Sequence, residues 1–195
     1  MSIKNTANNY GSIAKILHWG TAILFLGAYM SVYYRHWFTD KDTPANWTAL
    51  QLHLSFGVTV AVIVVLRIIW RMNNRAPHPE PGTKLAHLAA HVGHYTLYAV
   101  MIMMPITGYL GTGVNTEYFF TFDIPKFEST QFFEAVVIQG MGLTGEEFET
   151  PIDFIHKKIL GEWFVWILIL GHVSAALYHH FIKKDRTLYK MTINK

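Results

Sequence analysis

Four long apolar segments constrain this chain more than anything else in it. They run roughly over residues 13–34, 49–70, 85–112 and 154–182. Each can cross a hydrocarbon core of ~30 Å, which takes about 20 helical residues. No charge run interrupts their centres, and no strand-like alternation competes with them. Lipid offers no partners to backbone amides, so helices are the expected form. The expected fold is all-α, an integral membrane four-helix bundle in one transmembrane domain over residues 1–195. Pro105 is expected to kink the third helix near Met101, because it removes one backbone bond. Residues 115–153 are acidic and rich in Gly and Phe. They are expected to form a long extracytoplasmic cap between the third and fourth helices, with a short helix near Thr130–Ile138.

Composition agrees with a membrane setting. Charged residues are 15% of the chain, against ~25% in soluble domains. There is no cysteine, which excludes disulfides, thiolate metal sites and cysteine-attached haem. The first apolar run has no small-residue cleavage site behind it, so it is read as a helix that stays.

Lysine and arginine set the orientation. One side receives Lys4, Lys15, Arg71, Arg75, Lys84, Lys183, Lys184, Arg186, Lys190 and Lys195. The other receives Arg35, Lys41, Lys126, Lys157 and Lys158. The larger group belongs inside, which makes both termini cytoplasmic. Anionic lipid explains that basic face, and nucleic acid is not needed. Trp19, Trp47, Trp70 and Trp163 near the segment ends are read as interfacial belt residues.

Eleven histidines in so apolar a chain carry the chemistry, since each ionisable group inside a membrane is a functional candidate. His18 lies near the inner end of the first helix, and His172 reaches a similar depth in the fourth. His53 lies near the outer end of the second helix, and His156 at the outer start of the fourth. Two depths thus each receive two histidines. Bis-histidine ligation of haem needs two imidazoles from different helices on opposite porphyrin faces. His156 and His172 are separated by about 24 Å of helix at 1.5 Å per residue, room for two stacked cofactors. Gly20, Gly57 and Gly171 beside these histidines would let a flat macrocycle approach. A hydrogen-bonded core histidine is the blander reading for any one of them. A histidine-lined metal or proton pathway without haem is the alternative for the set.

The fourth-helix spacing is a difficulty. Sixteen residues at 100° each bring His172 to the side opposite His156, whereas about fourteen would return it to nearly the same face. A bulge near Gly161, or a helix that begins after His156, would resolve this. His87, His91 and His94 form one face of the third helix, where a propionate contact, a quinone site, an alternative axial haem ligand or an interfacial stripe are all open readings. His94 is the deepest. Arg67 can pair with a haem propionate or snorkel to lipid phosphate. His179 and His180 are placed at the inner interface, and His36 and His78 in loops.

Several runs then resemble the prokaryotic cytochrome b561 family. They are Leu17-His18-Trp19, Leu52-His53-Leu54-Ser55-Phe56-Gly57, the stretch from Gly171-His172 to His179-His180-Phe181, and Lys184-Asp185-Arg186-Thr187-Leu188. Gly93-His94 followed by Pro105 and Gly108 also fits. The resemblance covers nearly the whole chain apart from residues 115–150. It implies four helices in the bacterial inner membrane, two haem b groups and electron exchange with ubiquinone. It also implies superoxide oxidation, with electrons passing from an outer to an inner haem. The implied iron ligands are His18 with His172 and His53 with His156, and His94 matches the family's third-helix histidine.

Two features depart from the family pattern. The sixteen-residue spacing replaces about fourteen. The cap carries Glu117, Asp123, Glu128, Glu134, Glu146, Glu147, Glu149 and Asp153, whereas a positive funnel would favour an anion such as superoxide. Lys157 and Lys158 are the basic residues placed to line an access path beside the outer haem, which makes them the candidate catalytic residues. An electron-transfer subunit docked through the acidic cap to a dehydrogenase or hydrogenase is the other reading of the same site.

Overall fold

The computed structural model describes residues 2–192, so Lys195, counted in the orientation above, lies outside the described residues. The architecture is predominantly helical. Helix α1 covers Ser12–Phe38, α2 Pro44–Asn73 and α3 Lys84–Leu110. A hairpin of β1 (Thr116–Tyr118) and β2 (Phe122–Ile124) follows. Next comes a short helix, α4, which starts as Gln131–Phe133 and continues in π geometry over Glu134–Met141. It lies near the short helix expected in that region. The final helix, α5, runs without a break over Gly145–Lys183.

Local chemistry explains the helix starts. Thr43 caps α2 by accepting from the Asn46 amide, and Pro44 occupies the first helical position, where a missing N–H costs nothing. Thr83 caps α3 in the same way through the Ala86 amide. The start of α5 differs from the expectation of residue 154. Thr144 and Glu147 form a reciprocal capping box, and helix begins at Gly145. Pro151 is absorbed inside the helix. Residues 145–153 of the expected cap are therefore helix.

Among the described residues, three helices are long and apolar enough to cross a membrane: α1, α2 and α5. At about 1.5 Å per residue, the 27 residues of α3 match α1 in length. His87, His91 and His94 make its first half more polar. Two small cores tie these helices together. Tyr29, Val100 and Val165 join α1, α3 and α5, with Phe25, Met104 and Trp166 packed round them. Val60, Val64 and Met101 join α2 to α3, with Leu24 and Tyr98 against them. Many large apolar side chains remain outward, including Ile23, Leu26, Met30, Val62 and Ile167. A chain solvated by lipid has no reason to bury them.

The two ends of the described chain meet. The Lys15 ammonium donates to the Thr192 carbonyl at 2.6 Å and the Trp19 indole to the Met191 carbonyl at 3.0 Å. Lys190 is buried, with its ammonium on the His78 carbonyl at 2.7 Å and paired with Glu80 at 2.5 Å. Trp19 is thus a tail anchor as well as a candidate belt residue. Trp47 likewise donates to Glu117 at 3.1 Å.

Candidate functional site

The four histidines singled out above come together in two pairs. The rings of His18 on α1 and His172 on α5 have centroids 6.1 Å apart and planes inclined at 51°. Those of His53 on α2 and His156 on α5 are 6.2 Å apart, inclined at 73°. Each pair joins two different helices.

The register of α5 makes the second pair possible. Residues Ile155–Phe164 are π-helical, with bonds from i to i+5 in place of i to i+4. Each such turn holds about one residue more than an α turn, and ten residues make roughly two turns. The segment therefore absorbs about two residues. Sixteen positions occupy the turns of about fourteen, which brings His156 back to nearly the face of His172. Gly161 lies inside this segment, and a Cβ there would stand 2.9 Å from the His156 carbonyl oxygen. The Tyr29 hydroxyl, from α1, donates to the Gly161 carbonyl at 2.9 Å.

Hydrogen bonds orient the second pair. His53 Nδ1 lies 2.9 Å from the Ala28 carbonyl, so it must carry the proton and donate. Nε2 is left with its lone pair free. His156 Nδ1 lies 3.1 Å from Thr107 Oγ1, while that hydroxyl is 2.7 Å from the Met103 carbonyl. The single hydroxyl proton goes to the carbonyl, so Thr107 accepts from His156 and again leaves Nε2 free. A partner on the second ring nitrogen is the usual support of a metal-binding imidazole. Gly108 completes the seat: a Cβ there would lie 3.0 Å from His156 Cε1.

The donor set fits haem. A metal–nitrogen bond of about 2.0 Å plus the ring's own radius places two axial imidazole centroids about 6.3 Å apart. Both pairs stand at that separation. Among the described residues no cluster of three or more His, Asp or Glu side chains is built to hold a metal ion. A porphyrin needs only the two axial ligands from protein. Beside the histidines, a Cβ built at Gly57, Gly93 or Gly171 meets no atom within 4 Å, and one at Gly20 meets only Ile63, at 3.9 Å.

Further residues gather at the first pair. The His94 ring lies 5.9 Å from that of His172. Arg67 stacks its guanidinium over Tyr98 at 5.5 Å and points one nitrogen at Met101 sulfur, 3.7 Å away. Its charge acts on His18, His94 and His172. No carboxylate pairs with it among the described residues. His87 and His91 stay at the start of α3, with His91 on the His87 carbonyl at 2.7 Å.

The candidate catalytic lysines are placed differently. Lys157 pairs with Asp153 at 2.8 Å and Lys158 with Glu162 at 2.6 Å, each along its own helix and more than half exposed. Arg35, on α1, is a further cation on this side, bonded to Asn46 at 3.0 Å, and like Lys157 its charge acts on His53. Sequence reasoning passed over Arg35, Thr107, Tyr29 and the Ala28 carbonyl. A threonine inside an apolar span was a usable signal for Thr107. A backbone carbonyl gives none.

The chain is similar to known proteins over nearly its whole length. The family model for prokaryotic cytochrome b561 matches residues 9–193. Cytochrome b561 homolog 2 of Escherichia coli K12 is 31% identical over 200 residues, covering 98% of this chain and 95% of that protein. The probable superoxide oxidase CybB of Yersinia pestis is 26% identical, covering 92% of this chain and 93% of that protein. Cytochrome b561 homolog 1 of Escherichia coli K12 is 26% identical, with 94% and 97% covered.

Proposed function

Because the chain belongs to the prokaryotic cytochrome b561 family of membrane electron-transfer proteins, which implies haem b, we propose that it is a di-haem oxidoreductase. It moves single electrons between the outer face of the bacterial inner membrane and the ubiquinone pool. Four helices cross the membrane, and both termini are cytoplasmic. The observation that carries this reading is the pair of facing imidazole sets at 6.1 and 6.2 Å.

His18 and His172 would hold the inner haem, and His53 and His156 the outer one. Haem would supply one-electron chemistry at iron, and a histidine pair holding it would favour electron transfer over oxygen binding. The protein sets the rest. The Ala28 carbonyl and the Thr107 hydroxyl keep each outer imidazole in the tautomer that presents Nε2. Arg67 supplies the charge that a propionate on the inner side needs, and His94 stands beside His172 to contact the inner cofactor.

Superoxide is the proposed donor. It gives up one electron and leaves as oxygen. Two such electrons, with two protons from water, convert ubiquinone to ubiquinol. The support is the name carried by the Yersinia pestis relative. Arg35, Lys157 and Lys158 are the outer cations that would draw the anion in. Both lysines are already matched by carboxylates, so the cap keeps its acidic excess. That observation favours a second reading, a cytochrome b subunit docked by its cap to a dehydrogenase or hydrogenase.

A pyridine haemochrome assay on the purified chain tests the first claim. Two haems per chain are expected, and none would sink the reading in favour of a metal or proton pathway. A superoxide source should then reduce the haem bands, and ubiquinone should reoxidise them. Bands that stay oxidised would remove the superoxide step and leave the docked-subunit reading standing.

A further inference from the structure

Helix α2 carries an unusual stripe. Trp47, Gln51, Ser55 and Thr59 follow one another at intervals of four, so they share one face. Gln51 and Ser55 are fully buried. Polar side chains within an apolar span need a reason. Here the reason is the β1–β2 hairpin, whose main chain they satisfy.

Gln51 donates to the Asn115 carbonyl at 3.1 Å and accepts from the Glu117 amide at 2.7 Å. Ser55 accepts from the Phe119 amide at 2.9 Å. Thr59 meets the Tyr118 hydroxyl at 3.1 Å. The hairpin thus descends along α2, turn by turn, with its tip furthest from the α1–α2 loop.

The depth of that tip can be read from α1. Between Lys15 and Arg35 the helix has no charge, a stretch of about 30 Å that matches a hydrocarbon core of ~30 Å. Its middle, Leu24 and Phe25, packs against the α2 residues Val60 and Val64. The midplane therefore crosses α2 near Val60. Ser55 lies about 7 Å from it at 1.5 Å per residue, well inside the core. The Phe119 amide hangs on Ser55 at that level.

The tip chemistry agrees. Phe120 and Phe122 are 52% and 58% exposed, while Phe119 packs edge-on against Phe56 of α2. Phe119 and Phe120 both adopt positive φ, 42° and 59°, where a hairpin turn normally uses Asn or Gly. Two bulky rings held in that strained geometry point to a role for the rings themselves. The charged pair Glu117 and Asp123 sits across the ladder, back toward Trp47, as at a membrane–water boundary.

We propose that the hairpin is a re-entrant membrane element, with Phe119 to Phe122 inserted among the lipid acyl chains of the leaflet on the α1–α2 loop side. It is allowed there because α2 and the turn's own bonds satisfy its backbone, Phe120 donating to Glu117 and Thr121 to Tyr118. The inference rests on the membrane-spanning reading of α1 and α2. It does not depend on what the histidines bind.

The chain has no cysteine, so single spin labels report cleanly on the haem-loaded protein in phosphatidylcholine vesicles. Nitroxides at Phe120→Cys and, separately, Phe122→Cys should collide readily with oxygen and rarely with a water-soluble nickel chelate. The ratio should match Val62→Cys on the outward face of α2 and exceed that of Lys41→Cys in the α1–α2 loop severalfold. A ratio like that of Lys41 would put the tip in water and overturn the proposal. Labels shielded from both reagents would put a protein partner there and overturn it too. A nickel-accessible Val62 would bring down the spanning of α2 and the hairpin proposal together.

Discussion

The seat of His156 offers the most direct test of the outer haem site. Gly108 on α3 faces that imidazole, and a Cβ there would come within 3.0 Å of Cε1. Ordinary carbon contacts settle at about 3.5–4.0 Å. Gly108→Ala therefore pushes the ring by roughly 0.5 Å or more. The ring cannot yield freely, because Thr107 holds Nδ1 at 3.1 Å. Metal–ligand distances tolerate only about 0.2 Å. Ala should strain the iron bond and alter the low-spin electron paramagnetic resonance signal of one haem. Val, with two further methyl groups, should displace the ring and cut the haemochrome count from two per chain to one. The lost signal must be the one that His53→Ala also removes. Gly113→Ala meets only Glu149, at an ordinary 3.7 Å, and should leave both haems in place. A Gly108→Val protein with two haems and unchanged spectra would refute the assignment of His156.

Three more predictions follow from separate parts of the structure. His172→Ala should remove one haem and spare the signal that His53→Ala removes, measured by haemochrome and resonance spectra, and both signals persisting would break the inner pairing. Tyr29→Phe removes the donor to the Gly161 carbonyl and should cost about 1 kcal/mol in a thermal melt, with no loss from it counting against a role in holding the π segment. Burial works against the Asp185 carboxylate, but hydrogen bonds from His179 and Thr187 more than offset it and hold its pKa below the usual 3.8. Its stabilising effect is therefore present above 3.8 and lost as the pH falls through the lower folded value. Asp185→Asn should speed hydrogen exchange of the Thr187 amide, now bonded to that carboxylate at 2.9 Å, at neutral pH; unchanged protection would show that the contact does not hold the tail.

Much of this was legible in the residues, for identifiable reasons. Histidines are costly in lipid, so His18, His53, His156 and His172 announced themselves; the structure sets His53 beside His156, and His172 beside both His18 and His94. The start of α5 was also legible. Thr144 and Glu147 spell a capping box, although the acidic, Gly- and Phe-rich composition of residues 115–153 reads as a cap. The descent of the hairpin was not legible. Three-residue strands have too little pattern to see, and Phe119 and Phe120 occupy a turn geometry that their identities argue against. The pairing of Lys157 with Asp153 and Lys158 with Glu162 follows the i, i+4 rule and could have been foreseen once helix was extended upstream of residue 154.

The spacing of sixteen is one of the two departures from the family pattern, and the π segment turns it into a statement about register. If the segment does no more than absorb two residues, removing two should leave His156 where it is. Deleting Lys157 and Lys158 together allows ordinary α geometry between His156 and His172 over fourteen positions. At 100° per residue that falls about 40° short of full alignment, within the reach of a flexible imidazole. Two haems per chain are then expected in the deletion protein. The same deletion removes two of the three outer cations proposed to draw superoxide. Reduction of the haems by superoxide should therefore slow while haem content holds, and the slowing should shrink as salt is raised. Loss of the outer haem would show that the widened turns themselves are needed to seat it. Full superoxide reactivity with both haems present would remove the lysines from the reaction and leave Arg35 as the cation beside the outer pair.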